Sequence, residues 1–444
     1  MDEMKFANQI IAKAKKMNLD DIEVYYNSSK NLDVVWEKGD LQIPKTDLYQ
    51  GFGIRVFKDG STGFSSSNII NEEEAERVLE RAAEIANITP SDESNFLPKK
   101  SDIEYVDGIV DKENNDIELM QAVEKGKEFV ENFLNYDQRV KLDTANFSTN
   151  LTKKLIVNSR GTKASEEKTV FENMAMAFAR ENENVSSFDL SFQIACKLAD
   201  LDLKEKAEEL AKKVVNSLDA ESVESFEGSV ILTPFSALSI VASTIGFAIN
   251  GENVINDMSP WADKIGDEVA IPELSVIDDA HLAGGIGSRS FDREGVAPKR
   301  LEIIKNGKLN NFIHNTYTAH KMGTKSTGHA GGGAQSKPGI SPSNFIINGG
   351  DKTLDEIIAN TEKGILVNRF SGNTDPISGD FSGVVKGGKY IENGEMIKSI
   401  KGVMIAGNVY ELLNKISAMT AEKEFIQNYR LPHIKFENVS ITGK

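Results

Sequence analysis

Five histidines, one cysteine and one charged tripeptide are the residues whose types suit catalysis or metal binding in this chain. The histidines are His281, His314, His320, His329 and His433, and none is spaced as H-E-x-x-H or H-x-H, patterns that aim two imidazoles at one ion. His314 and His320 share LNNFIHNTYTAHKMG, and His329 follows in STGHAGGG, so a metal site here would have to be assembled in space from these three. Cys196 is alone, which excludes an intrachain disulfide and any multi-cysteine metal site within one chain. Its setting, SFQIACKLAD, alternates and reads as a half-buried strand residue. Asp292, Arg293 and Glu294 in FDREGVAPKR stand before an alternating hairpin, LEIIKNGKLNNFIH, with its turn at Asn306-Gly307. They stand at a strand entry and read most simply as a charged turn.

Other sources of chemistry are absent from the sequence. GGIGSRSF from Gly284 lacks the third glycine spacing of a dinucleotide fingerprint, GTKS at Gly323 lacks the P-loop order, and no G-x-S-x-G elbow or EF-hand spacing occurs.

The element best placed to mount a site is TPFSALSIVASTIGFAING, Thr233 to Gly251. Thr233 is suited to cap the helix, Pro234 to its first position and Gly251 to a left-handed terminus. Leu238, Val241, Ala242, Ile245 and Ile249 form one helical stripe, and the strand-like SVILTP feeds the helix. Yet no His, Cys, Asp, Glu or Lys falls between Thr233 and Gly251.

A chain of 444 residues implies two or three cores, and 39% hydrophobic content is enough to build them. A formal charge of −17 argues against a nucleic-acid or anionic-membrane surface, which needs clustered cations. The start, MDEMKFANQIIAKAKK, reads as an amphipathic helix rather than a signal peptide, and no segment reaches the ~18 apolar residues of a membrane helix. A cytoplasmic protein is expected, and the N-x-S/T triplets at Asn27, Asn146 and Asn184 then carry no meaning.

Taken in order, the chain reads as α+β: two small helix-plus-antiparallel-sheet units, 1–110 and 111–222, then a larger strand-rich C-terminal domain, 223–444, carrying the helix 234–250. In the first unit DIEVYYNSS, NLDVVWEKG and YQGFGIRVFKDGSTGFSSSN are short strands with a turn at Asp59-Gly60. Asn71 and Glu74 open a helix facing inward through Ala75, Val78, Leu79, Ala82 and Ala86, ending at Thr89-Pro90. TPSDESNFLPKKSD reads as a connector. A helix from about Asp116 to Tyr136 shows Ile117, Met120, Val123, Phe129, Val130 and Phe133 on its apolar side; strands and a helix over Leu203 to Leu218 follow. The last domain adds a helix at Val409–Met419, bracketed by Asn408 and Glu411, and loose stretches at Ala330-Gly-Gly-Gly-Ala and Ser336 to Ser343.

FDREGVAPKR, KNGKLNNFIHNTYTAHKMGTKSTGHA, FSGNTD, SGDFSGVVKGGKYIENGE and GVMIAGNVYELL, in that order, with YQGFGIRVFKDGSTGFSSSN near the start, resemble the TldD/PmbA family, the "modulator of DNA gyrase" peptidases. The resemblance spans nearly the whole chain. In the TldD branch the corresponding helix carries H-E-x-x-x-H, two metal-binding histidines and a general base, with a later Cys as third ligand. Alignment on Gly246 and Gly251-Glu252 puts those histidines at Ala242 and Phe247 and the base at Ser243, and no cysteine follows Cys196. Three-ligand zinc chemistry therefore has no basis here, and no catalytic residue or metal ligand is assigned.

The resemblance is to the PmbA (TldE) branch, whose members pair with a metal-bearing TldD chain. It implies a heterodimer that cleaves unstructured peptides in a closed cavity, the metal residing on the partner and this chain being inactive alone. A homodimeric peptide-binding protein is the alternative, and an active peptidase with a relocated metal at His314, His320 and His329 is a further one. By resemblance and turn position Asp292, Arg293, Glu294, Ser326, Thr327 and Gly328 are the candidate peptide contacts. The gyrase name gains no support from so acidic a chain.

Overall fold

The computed structural model describes residues 2–443. Its N-terminal half is organised by strands longer than the sequence suggests. DIEVYYNSS and NLDVVWEKG are one strand, Asp21–Glu37, and Val140–Asn158 is likewise one unbroken strand. No Gly or Pro interrupts either stretch, and a polar run such as Asn27-Ser28-Ser29 is no obstacle to pairing. With Lys45–Lys58, Ser61–Ser67, Lys163–Glu181, Asp189–Ala195 and the two-residue strands Asp40–Leu41 and Asn184–Val185 they form a single eight-stranded sheet that runs through both N-terminal units. The Asp59-Gly60 turn takes φ of 49° and 77°, as a primed hairpin requires.

One sheet serves two cores because side chains alternate along a strand. The even-numbered residues Ile22, Val24 and Tyr26 pack under helices Glu3–Ala14 and Glu72–Ile88. Further along the same face, Leu32, Val34 and Trp36 pack under helices Leu119–Tyr136 and Leu203–Val215. The odd-numbered Tyr25 faces the other way, onto Phe291 and Ala334 of the C-terminal domain. The sheet is thus a wall with helices on one side and the last domain on the other.

Local signals work well where no tertiary contact competes. Asn71 accepts a hydrogen bond from the Glu74 N–H at 2.8 Å, and Ala75, Val78, Leu79, Ala82 and Ala86 are all buried. Three details differ. The helix expected from Asp116 starts at Leu119 behind a Glu118/Gln121 capping box, which turns Met120 outward at 65% exposure. The helix expected over Val409–Met419 is one turn, Val409–Leu412; Ile416–Met419 is a strand paired with Ile434–Thr442, since sheet pairing there outweighs a weak helical pattern. The helix from Leu203 ends at Val215 rather than Leu218.

The C-terminal domain holds a nine-stranded and a six-stranded sheet around one core. Phe226–Leu232 lies centrally, parallel to Lys363–Val367 and antiparallel to Ile434–Thr442. Among the described residues no helix is long and apolar enough to cross a membrane.

Candidate functional site

The strand Phe226–Leu232 delivers the chain to the helix that starts at Pro234, and Thr233 caps it. The Thr233 hydroxyl also donates to the Asn368 carbonyl at 2.8 Å, and the Ser236 hydroxyl donates to the Val367 carbonyl at 2.7 Å, so the first turn is pinned to the neighbouring strand. Leu238–Ala242 then widens to a π turn, closed by the Ser243 N–H donating to the Leu238 carbonyl. The extra residue shifts the buried face: Ile240, Val241, Ala242, Ile245, Ala248 and Ile249 are buried, while Leu238 is only half-buried. Ser239, Gly246 and Phe247 are half-buried and Ser243 is exposed, forming the open side.

Gly251 does not end the helix in the left-handed region. It opens the next short helix, Gly251–Ile255, behind the cap Asn250. Glycine is needed there because a Cβ would run into the His314 ring and the Ile313 carbonyl.

The residues at the metal-motif positions do not fit a metal. The Ala242 methyl is fully buried in the apolar core, Phe247 offers no lone pair, and the Ser243 hydroxyl donates to the Ser239 carbonyl at 2.8 Å. Cys196 lies in the central unit, one residue beyond its strand rather than within it, fully buried with Sγ 3.8 Å from the Gly285 carbonyl; burial pushes its thiol pKa up. Among the described residues no group of three or more His, Cys, Asp or Glu side chains is disposed to hold a metal ion.

The charged tripeptide is buried. Asp292, Arg293 and Glu294 are 1%, 3% and 1% exposed, which leaves no surface for a peptide to touch. Arg293 reaches Glu23 at 2.8 Å, Arg55 reaches Glu23 and Glu294 at 2.9 Å each, and Glu294 also accepts the Thr316 N–H at 2.7 Å. The Arg293 guanidinium stacks on Tyr25, 3.9 Å from the ring centre. Burial alone would raise the Glu23 carboxyl, but Arg55 and Arg293 outweigh it and hold the pKa below the usual value. Asp292 braces the turn by accepting N–H bonds from Glu294, Val296 and Ala330; burial, then Glu294, push it up to about 7. These side chains tie the N-terminal sheet to the C-terminal domain.

The three histidines do not converge on one site. His329 is buried between Asp278 (Nε2 to Oδ1, 3.0 Å) and Thr327 (2.8 Å), and His314 is buried against Thr318 at 3.1 Å, its pKa lowered by burial and then by His329 to about 4. His320 is exposed and meets Ser94 of the connector at 3.0 Å. Thr327 and Ser326 are engaged with the His314 backbone, and Gly328, buried at φ 76°, sits against Pro298. These last three also serve the packing of the loop.

What sequence reading missed is a cleft of about 690 Å³ where the central unit meets the C-terminal domain. One wall is Asp189–Ala195, the last strand of the eight-stranded sheet; the other includes Glu424–Ile426, the last strand of the six-stranded one. Cα atoms of the two strands approach within 8 Å, and among the described residues no strand pairs with the outer edge of either. Thr233, Pro234 and Phe235 bring the first turn of the helix into the lining. Apolar Leu190, Phe192, Ile194 and Phe425 alternate there with Lys206, Lys213 and Glu209, and Asp189 is fixed by Asn368 at 2.9 Å. His433 completes the lining as a neutral imidazole, lowered to about 4 by burial. Contributions from at least five separated stretches leave no local signal in the sequence.

Three family models match successive parts of the chain. Domain 1, the central domain and the C-terminal domain described as PmbA/TldA metallopeptidase match residues 22–86, 112–218 and 226–443. A metalloprotease of Methanocaldococcus jannaschii is 27% identical over 92% of this chain and 91% of its own length. The metalloprotease PmbA of Escherichia coli is 24% identical over 95% and 93%. Among solved structures, TldE from Thermococcus kodakarensis shares the fold with a TM-score of 0.90 at 24% identity, covering 99% of this chain and all of that one.

Proposed function

From the premise that the chain belongs to the PmbA/TldD family of metallopeptidases, we propose that it is the non-catalytic member of a two-chain peptidase, holding extended peptide while a TldD-type partner supplies the metal. The observation that carries this reading is the chemistry at the motif positions: a core methyl at Ala242, an aromatic ring at Phe247 and an exposed hydroxyl at Ser243. A metal cannot be held by such a set, and a neutral serine is a poor base. The cleft supports the other half of the reading. An unpaired strand edge can take an extended peptide through its backbone, and apolar side chains alternating along Asp189–Ala195 offer sites for every second residue.

The test is reconstitution. Titrating this chain into a TldD-type chain should raise cleavage of an unstructured peptide, and the chain alone, purified without chelator, should carry well below one metal ion per chain. Cleavage unchanged by this protein would overturn the assignment. The cleft is complete within one chain, which favours a second reading, peptide binding without any partner. Sedimentation of the chain alone with an unfolded peptide separates the two readings, because only the second expects tight binding there.

A further inference from the structure

The arm between the strands Asp21–Glu37 and Lys45–Lys58 has no part in the cleft or in the helix from Pro234. Lys45–Lys58 pairs with Asp21–Glu37 along its whole length, Thr46 opposite Leu32, but on its other side Ser61–Ser67 covers only Phe52–Lys58. Residues 45–50 therefore present an open strand edge on which Leu48 stands 77% exposed, and Ile43, 85% exposed, lies in the segment just before it. An open apolar edge is a template for another strand.

We propose that this edge pairs antiparallel with the same edge of a second copy, about a two-fold axis at Thr46. The inference does not depend on the peptidase reading. A two-fold perpendicular to the sheet pairs residues whose numbers sum to an even constant, so the centre must fall on a residue. A centre on Lys45 would set lysine against lysine, and one on Asp47 would set aspartate against aspartate. A centre on Thr46 sets Lys45 of each copy opposite Asp47 of the other and brings Ile43 and Pro44, just before the strand, alongside Tyr49 and Leu48 of the other copy. Of these three registers only that one joins opposite charges twice across the axis. Charge complementarity of the strand with itself thus selects a second copy as the occupant.

Thr46→Cys tests the axis directly, because Cys196 is buried and the new thiol is the reactive one. Across the axis the two Cα atoms would be about 4.5–5.5 Å apart, within disulfide reach, whereas Lys45→Cys would leave a diagonal pair at about 7–8 Å. The chain alone, at about 50 µM to allow for the weak affinity of a small contact, should sediment as a dimer. Under mild oxidation Thr46→Cys should cross-link at least tenfold faster than Lys45→Cys, and Leu48→Lys, folded by circular dichroism, should sediment as a monomer. Equal cross-linking of the two cysteine variants, or a monomeric parent chain at that concentration, would overturn the pairing.

Discussion

Two stretches of the C-terminal domain exchange the roles that their compositions suggest. The tripeptide Asp292-Arg293-Glu294 carries the charges expected of a binding surface, and it is buried, paired and structural. The helix from Pro234 to Ala248 carries no charge, and it presents an open side and a first turn that lines the cleft. A charged side chain is informative about function only once its partners are known. Here each side of the boundary contributes one arginine and one glutamate, Arg55 and Glu23 from the N-terminal sheet and Arg293 and Glu294 from the C-terminal domain, and they neutralise each other across it, so their chemistry is spent on orientation.

The contrast can be broken most sharply at Arg55, which serves both glutamates. Arg55→Ala would leave Glu294 without its cation and Glu23 with only Arg293, and should cost about 3–5 kcal/mol in denaturant unfolding. A cost below about 1 kcal/mol would show that the network is not what joins the domains. Next in size is the helix. Ala242→His should cost about 3 kcal/mol by overpacking the core, while Ser243→Glu, one residue on but exposed, should stay within about 0.5 kcal/mol. Equal effects would mean that the π turn does not set the buried face.

A smaller effect is expected in the cleft. Phe425 lines it at 42% exposure, so Phe425→Ser should weaken binding of an unfolded peptide about tenfold, read by fluorescence anisotropy, with the unfolding midpoint unchanged. Last comes pH. His433 is held neutral, its pKa lowered from 6.5 to about 4, so its contribution to stability is complete above 6.5 and is lost as pH falls from there toward 4. Asp292, raised, acts in the opposite sense, with stability falling as pH rises toward 7, but equally in parent and variant. His433→Gln should therefore remove about 2 kcal/mol of the destabilisation between about pH 7 and pH 5. An unaltered pH slope would show that this imidazole is solvated in the folded protein.

Legibility followed the range of the interactions involved. The cap at Asn71, the inward face of its helix, the turns at Asp59-Gly60 and Asn306-Gly307, and the cap and proline that open the helix at 233–234 involve residues within one or two turns of each other, and the sequence displays them. The family resemblance was legible too, because it rests on the order of motifs along the whole chain. The continuity of Asp21–Glu37 was less so: the periodicity is right, but the polar residues in its middle look like a boundary until both neighbouring strands are seen pairing through them.

By itself, then, the sequence determined the α+β class, the caps and turns, and the absence of metal donors at Ala242, Ser243 and Phe247, since composition and short-range spacing decide these. Only the tertiary structure decided that Asp292, Arg293 and Glu294 face inward, that His320 parts from His314 and His329, and that the ends of two sheets form a cleft. Burial and edge exposure depend on which segments, distant along the chain, come to lie against one another, and no local spacing encodes that.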